Sequence, residues 1–519
     1  MSLARDITTV GGGTLLSRLL AYARDAAIAA LLGSGPFAEA FFAVLQVVNF
    51  FRRLLAEGAL NSAFVPLWLR LAGGEDGAAN ANRFTVRTLV TVGCITGAAA
   101  LLVVVLAPVI IAVIAQGFSA ELQQLTALHL MVVAPYIVLA GLVAVMSAAL
   151  NAERRVGAVT VSTVVFNLVL VAVLALVLIH RVPPFYVSLS LASAIVVAGV
   201  LQFIITGGAW LAGGRRFGRV RLRARDQSRP FFMRALPGLI AAGTPQLKLI
   251  AATGLVSSSP AAVSWLYYAN RLYELPLGVA SIAIAAVIVP RIAASVHASD
   301  RAAYANAQSR AYEIALGLAL PAATGFALLA PQIAAGLFEH GQFTASDTDA
   351  VATALIAICS GLPAHVMEKV FGAVSFAHED TKTPMKAALT GLAVAVVTAI
   401  VLYQAFGYIG VAAAIAVSAW VAAGLLGTIL YRRGWLRLDD VAKRRLPRIA
   451  IATTLMGLGL ALGLAALGWL FPALAASALG RLALLFALVV LGVAAYAAAI
   501  ELLGITRLKD LIAAVRQNG

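Results

Sequence analysis

The sequence predicts an all-α polytopic membrane protein of about fourteen transmembrane helices. Two pseudo-symmetric six-helix lobes are expected around a central cavity, with two extra helices at the C-terminal end. Three observations carry this. The 519 residues are 62% hydrophobic and 12% charged, with a mean hydropathy of +0.96, whereas a soluble chain carries about 25% charged residues. Apolar runs long enough to cross the ~30 Å hydrocarbon core recur at 10–33, 37–70, 88–116, 122–150, 157–180, 184–211 and 235–258. They continue at 263–293, 308–337, 348–376, 385–406, 409–432, 448–471 and 480–504. Third, with the N-terminus placed in the cytoplasm, 29 of the 38 Lys and Arg fall in cytoplasmic segments, and only Arg181 and Arg481 in outer ones. That bias follows the positive-inside rule and puts both termini in the cytoplasm. The net charge of +16 is then mainly topology and attraction to anionic membrane lipids, and a nucleic-acid partner is not expected.

Taken in order, the first two spans are unusual for the arginines they hold. The stretch GGTLLSRLLAYARDAAIAALLG carries Arg18, Arg24 and Asp25; after the turn SGPFAEA, with Glu39, the stretch FFAVLQVVNFFRRLLAEGALNSAFVP carries Arg52, Arg53 and Glu57. One arginine at mid-bilayer costs about 2.5–3.5 kcal/mol on insertion scales, so such charges are tolerated where they face a wet cavity or a charged ligand. Gln46, Asn49, Arg53 and Glu57 share one helical stripe, and Arg52 sits about 100° round from Arg53. Arg18 and Asp25, seven apart, share a face.

The basic stretch GGRRFGRVRLRARDQSRP at 213–230 follows the sixth span and reads as a cytoplasmic linker on anionic headgroups. It divides the chain into an N-lobe at 1–212, a linker at 213–234, a C-lobe at 235–434 and a C-terminal pair of spans at 435–519. Gly13-Thr14 before Arg18 is echoed by Gly243-Thr244 before Lys248, and Phe64-Val65-Pro66 by Ile288-Val289-Pro290, as a parallel repeat would require. In span eight, WLYYANRLYELPLG places Arg271 three residues before Glu274. In span ten, His365 and Glu368 stand beside Lys369, a polar contact or a proton relay. His378-Glu379-Asp380 reads as a loop and helix cap. Cys94 and Cys359 both lie in apolar runs, so neither a disulfide framework nor a thiol metal site is expected.

Internal ion pairing does not balance these charges. Arg18, Arg24, Arg52, Arg53 and Arg271 meet Asp25, Glu39, Glu57 and Glu274, which leaves one positive charge over, and Lys248 adds a second. Fixed positive charge inside a membrane points to an anionic ligand, and guanidinium forks suit phosphate. A lipid-linked diphosphate is such an anion.

The stretches SRLLAYARDAAIAALLGSGPFAEAFFAV, NFFRRLLAEGALNSAFVP, VSWLYYANRLYELPLGV, LFEHGQFTASD and KVFGAVSFAHEDTKTPMK, with the fourteen-span layout, resemble the MurJ (MviN) lipid II flippases across essentially the whole chain. These belong to the MOP group with the MATE multidrug exporters. The resemblance implies transfer of lipid II, the undecaprenyl-diphosphate-linked disaccharide-pentapeptide of peptidoglycan biosynthesis, from the inner to the outer leaflet of a bacterial inner membrane. It implies alternating access, with spans thirteen and fourteen forming a groove for the lipid tail and cell-wall synthesis proteins as further partners. The residues matching the family's functional arginines are Arg18, Arg24, Arg52, Arg53 and Arg271. Supporting positions are Ser17, Asp25, Glu39, Asn49, Glu57, Lys248, Asn270, Glu274 and Lys369.

Three departures from the family pattern stand out. Glu39 replaces the usual aspartate, and Asn270 replaces an aspartate frequent before the span-eight arginine. Span seven offers Gln246 and Lys248 but no carboxylate, and span eleven has no Asp, Asn or Glu, so no cofactor is expected and a sodium site is disfavoured. The competing reading is a MATE-like exporter, or a flippase of another polyprenyl-linked glycan; an exporter of cationic drugs would want an acidic cavity. An integral-membrane transferase would need paired acids near a leaflet surface, and the only adjacent Asp-Asp, Asp439-Asp440, lies in a basic loop. A silent scaffold would not need the buried arginines.

Overall fold

In a chain this apolar the backbone has no water to bond to across the hydrocarbon core, so every segment must close its own hydrogen bonds. The computed structural model describes residues 3–56, 59–74, 76–215, 228–298, 300–470 and 477–505, and the regular elements among them are all helical. By contacts the chain divides into two units, residues 1–264 with 340–343, and residues 265–339 with 344–519.

Unit 1 contains α1 (Leu3–Leu32), α2 (Pro36–Ala56), α3 (Ala59–Ala72), α4 (Gly77–Val105) and α5 (Ala107–Ile114). It continues with α6 (Ala120–Val133), α7 (Pro135–Ala152), α8 (Val156–Ile179), α9 (Pro184–Ala212) and α10 (Ser228–Val256). Helix α8 packs on α1 and α9, α7 packs on α2, α3, α4 and α9, and α10 packs on α2 and α3. The division therefore falls after Ser264, later than the 213–234 linker from which the sequence drew its lobe boundary. Phe64, Trp68, Leu150 and Trp210 anchor a buried core where α3, α4, α7 and α9 meet. Hydroxyls inside the spans bond back one turn, as Thr96 does to the Val92 carbonyl (2.7 Å) and Thr206 to that of Gln202 (2.8 Å), so these donors are satisfied within their own helices.

Unit 2 holds α11 (Ala262–Ala283), whose first residues belong to unit 1, then α12 (Val289–His297), α13 (Arg301–Leu328), α14 (Ala330–Phe338) and α15 (Ala345–Cys359). It ends with α16 (Leu362–Ala377), α17 (Lys382–Arg432), α18 (Asp440–Leu470) and α19 (Ala478–Leu502). A π turn at Ile284–Ile288 precedes Pro290; proline has no N–H and clashes with the carbonyl four residues back, so the helix widens there. The 51 residues of α17 would make a rod of about 76 Å, far beyond one bilayer crossing. Gly407, with φ 56° and ψ −139°, turns the chain back in a conformation that only glycine adopts readily. The two halves form a hairpin, because Asp380 before the first half pairs with Arg433 after the second. Helices α18 and α19 pack together, and α18 lies on α13. Tyr496 donates to the Gly317 carbonyl (2.8 Å), Arg445 pairs with Glu313 (3.2 Å) and Arg481 with Glu339 (2.8 Å). Arg481, an outer-surface residue in the sequence reading, thus ties α19 to the end of α14.

Among the described residues, eight helices are long and apolar enough to cross a membrane, or nine if the pair α15 and α16, bent by 41°, is one broken span. That count is below the fourteen read from the sequence. It takes the α17 hairpin as one helix, and it omits α1, α2, α10 and α11, which carry Arg18, Arg24, Arg52, Arg53, Lys248 and Arg271.

Candidate functional site

The charged positions of unit 1 lie on α1, α2 and α10. Arg24 is only 5% exposed and Asp25 is fully buried. The Arg24 guanidinium donates to Asp25 Oδ1 from Nε (2.9 Å) and from Nη2 (2.6 Å), and to Asn167 Oδ1 on α8 from Nη1 (3.1 Å). The Asn167 amide in turn donates to the carbonyl and the hydroxyl of Ser17, both at 3.1 Å, and the Ser17 hydroxyl donates to the Thr163 carbonyl (3.3 Å). Asp25, which shares a face with Arg18, pairs with its neighbour Arg24. A buried guanidinium is tolerable only when its donors find acceptors, and a carboxylate with an amide provides them. Asn167 is a site residue that the charge-based reading missed; its signal was a lone amide in the apolar run of α8.

Arg18, Asn49, Arg52 and Arg53 are half-buried. Arg52 donates to Asn49 Oδ1 (3.3 Å), one turn back on α2, so Asn49 serves Arg52 although its helical position matches Arg53. Gln46, on the same stripe, donates to the Thr253 hydroxyl of α10 (2.7 Å). Lys248 is buried on that helix, 7% exposed. Glu57 lies outside the described residues. Glu39 is buried, and its Oε1 accepts the backbone N–H of Val263 (3.2 Å), so its negative charge sits at the start of α11, where the helix dipole favours it. Arg18, Arg24, Arg52, Arg53 and Lys248 outnumber Asp25, Glu39 and Glu57 by five to three, so the in-span charges of this unit sum to a positive value whichever partners they take.

In unit 2 Arg271 pairs with Glu274 across one turn of α11 at 3.3 Å, both side chains about a quarter exposed at 22% and 24%. Asn270, beside Arg271, is half-buried, and Lys369 is exposed. His365 meets Tyr273: its Nδ1 hydrogen-bonds the phenol hydroxyl, and the rings stand edge to face with centroids 5.7 Å apart. His378 does not act alone in its loop. It stacks on Trp435 at 4.0 Å, with Arg433 over the same indole at 4.9 Å. Asp380 caps α17, accepting from the N–H groups of Lys382 and Thr383, both at 3.0 Å. Burial pushes its carboxyl up, but the Thr383 hydroxyl and N–H and the Arg433 guanidinium outweigh this and hold it at about 2, below its usual 3.8.

A multi-pass helical chain that keeps arginines inside its spans has the build of a membrane transporter. Within that class, the chain belongs to the lipid II flippase MurJ family, whose model matches residues 28–474. A Rhizobium meliloti protein named as a probable lipid II flippase MurJ is 37% identical over 483 residues, covering 92% of this chain and 89% of the relative. A Burkholderia cenocepacia protein named lipid II flippase MurJ is 30% identical over 458 residues, covering 84% and 87%. Among solved structures, a lipid II flippase MurJ in an inward closed conformation superposes with a TM-score of 0.78 at 21% identity, covering 97% of this chain and 99% of that one. An inward-facing MATE multidrug transporter of the MOP superfamily superposes with a TM-score of 0.64 at 16% identity, covering 81% and 95%. At those identities the structural matches speak for the fold.

Proposed function

We propose that this chain moves lipid II from the inner to the outer leaflet of a bacterial cytoplasmic membrane by alternating access. The observation that carries the reading is the set of arginines held inside the helices of unit 1, in a chain of the MurJ family. The half-buried Arg18, Arg52 and Arg53 contact the diphosphate, because their guanidinium forks match its oxygens. Arg24, enclosed by Asp25 and Asn167, holds its charge behind them and moves to the ligand only if that network opens. In unit 2, Arg271, about a quarter exposed, presents a fork that a phosphate can take from Glu274. Lys248 contributes fixed charge. The basic cytoplasmic loops bind anionic lipids. Complementation of a bacterial strain depleted of its own lipid II flippase tests this: the chain should restore growth and cell shape. Normal insertion without rescue would leave the MATE-like fold with another substrate.

The orientation, with both termini in the cytoplasm, rests on the 29 to 2 split of basic residues. Single cysteines replacing Ser258 and Ser346 in a background without Cys94 and Cys359 should react with an impermeant maleimide added outside, and one replacing Arg216 only after permeabilisation. Transport needs no sodium in this reading, since the carboxylates that hold it in some family members are missing from spans seven and eleven. Replacement of sodium by potassium at fixed potential should leave the rate unchanged.

A further inference from the structure

Unit 2 contains an ionisable pair inside the membrane that lipid binding does not use. The tenth span is broken: α15 ends at Cys359, α16 starts at Leu362, and the two helices bend by 41°. His365 stands one turn beyond that break, near the middle of the apolar run 348–376. Its Nδ1 hydrogen-bonds the hydroxyl of Tyr273 on α11, a side chain only 3% exposed. Ionisable side chains at that depth are rare and costly, and discontinuous helices form the substrate and ion sites of many transporters.

We propose that His365, partnered by Tyr273, is a proton-binding site through which proton uptake drives the conformational cycle. The coupling part rests on the transport function proposed above; the binding of a proton does not. A phenol is both donor and acceptor, which lets the pair hold either charge state. With the imidazole neutral, the Tyr273 hydroxyl donates to Nδ1 and the proton of the ring is on Nε2. After uptake both ring nitrogens carry protons, Nδ1–H donates to the phenol oxygen, and the hydroxyl hydrogen turns away to another acceptor. One proton enters, one positive charge is gained, and no bond to carbon changes.

The surrounding charges leave that change to the imidazole. Glu274 follows Tyr273 on α11, and Glu368 stands three residues after His365 on α16. Arg271 pairs with Glu274, and Lys369 follows Glu368 on α16. Two fixed acids and two fixed bases sum to zero. Of the other helices on α16, α17 carries its charges (Lys382, Lys386, Arg432) at its ends and α12 brings the exposed Arg291, while α13 brings Arg301 at its start, Glu313 paired with Arg310 (2.5 Å) and with Arg445, and Tyr312, which packs edge-on to Phe371. Histidine is the side chain whose ordinary titration, near pH 6.5, falls in the physiological range.

The full-length protein is tested in two ways. In proteoliposomes with the membrane potential clamped at zero, a one-unit pH gradient should shift the steady-state leaflet ratio of lipid II roughly tenfold for one coupled proton. His365→Gln should remove that response in protein that reconstitutes at the wild-type level. Tyr273→Phe, which preserves packing, should weaken it. An equal response in His365→Gln, or none in the wild type, overturns the coupling. Independently of any substrate, histidine-selective isotope-labelled protein is titrated by NMR, where one imidazole titrating between pH 5 and 8 should vanish in His365→Gln. If no such signal exists, the site itself is refuted. If the wild type moves no lipid II under any gradient yet the signal is present, the lipid II reading fails and the proton site stands.

Discussion

Replacing Asn167 by alanine should do more damage than its neutral side chain suggests. The amide accepts one bond from the charged Arg24 at 3.1 Å and donates to two oxygens of Ser17 at 3.1 Å. A hydrogen bond to a charged group contributes about 1.5–3 kcal/mol and a neutral one about 0.5–1.5. Both Ser17 contacts share one nitrogen, so the loss should be about 2–4 kcal/mol, centred on the packing of α1 against α8. Thermal unfolding in detergent, followed by size exclusion, should show this in Asn167→Ala. A double-mutant cycle with Ser17→Ala should give a coupling of about 0.5–3 kcal/mol. Asn167→Asp separates support from orientation. It keeps the acceptor for Arg24, loses the donor to Ser17 and adds a negative charge beside the guanidinium, so the protein should insert normally and complement poorly. Strict additivity in the cycle, together with full complementation by Asn167→Asp, would refute the view that Asn167 orients Arg24.

Further outcomes follow from other contacts. Gly341 has φ 62°, and a Cβ there would lie 2.2 Å from the Ala30 carbonyl oxygen. Gly341→Ala should therefore break the bond from Gln342 N–H to that carbonyl (2.9 Å) and cost about 2–3 kcal/mol in backbone strain and lost bonding, read as faster protease cleavage at 339–344. The carboxyl of Asp380 is held at about 2, a depressed value, so its contribution is full above the ordinary value near 4 and fades as pH falls towards 2. The unfolding temperatures of wild type and Asp380→Asn should differ by a constant amount from pH 5 to 8 and converge only in stronger acid. For Arg271, alanine should abolish complementation at normal protein levels, and lysine should restore it in part. If Arg271→Ala combined with Glu274→Ala restores complementation, Arg271 was a helix-pairing residue and its ligand role falls.

The helical class was legible because apolarity and charge segregation are summed over hundreds of residues and survive local errors. The division of the chain was less so. A run of basic residues such as 213–230 is visible in one dimension, but the seat of α10 depends on contacts with α2 and α3 that carry no local signature. Gly407 was hidden in the same way: one glycine in an apolar run tells nothing about its φ until the two ends of α17 are found together at Asp380 and Arg433.

Charge identity was readable and charge partnership was not. Arithmetic on the sequence could say that the basic residues of the first spans outnumber the acids. It could not say that Asp25 would turn to Arg24 instead of Arg18, or that Glu39 would meet a helix start instead of an arginine. Those choices separate the arginines. Arg24, 5% exposed and enclosed on both sides, cannot reach a ligand without breaking the bonds that join α1 to α8, whereas Arg18, Arg52 and Arg53 are half-buried. A substrate diphosphate that recruited Arg24 would then have to loosen the α1–α8 packing as it bound. Binding and movement of α1 would be one event, and the Asn167 substitutions would report on both.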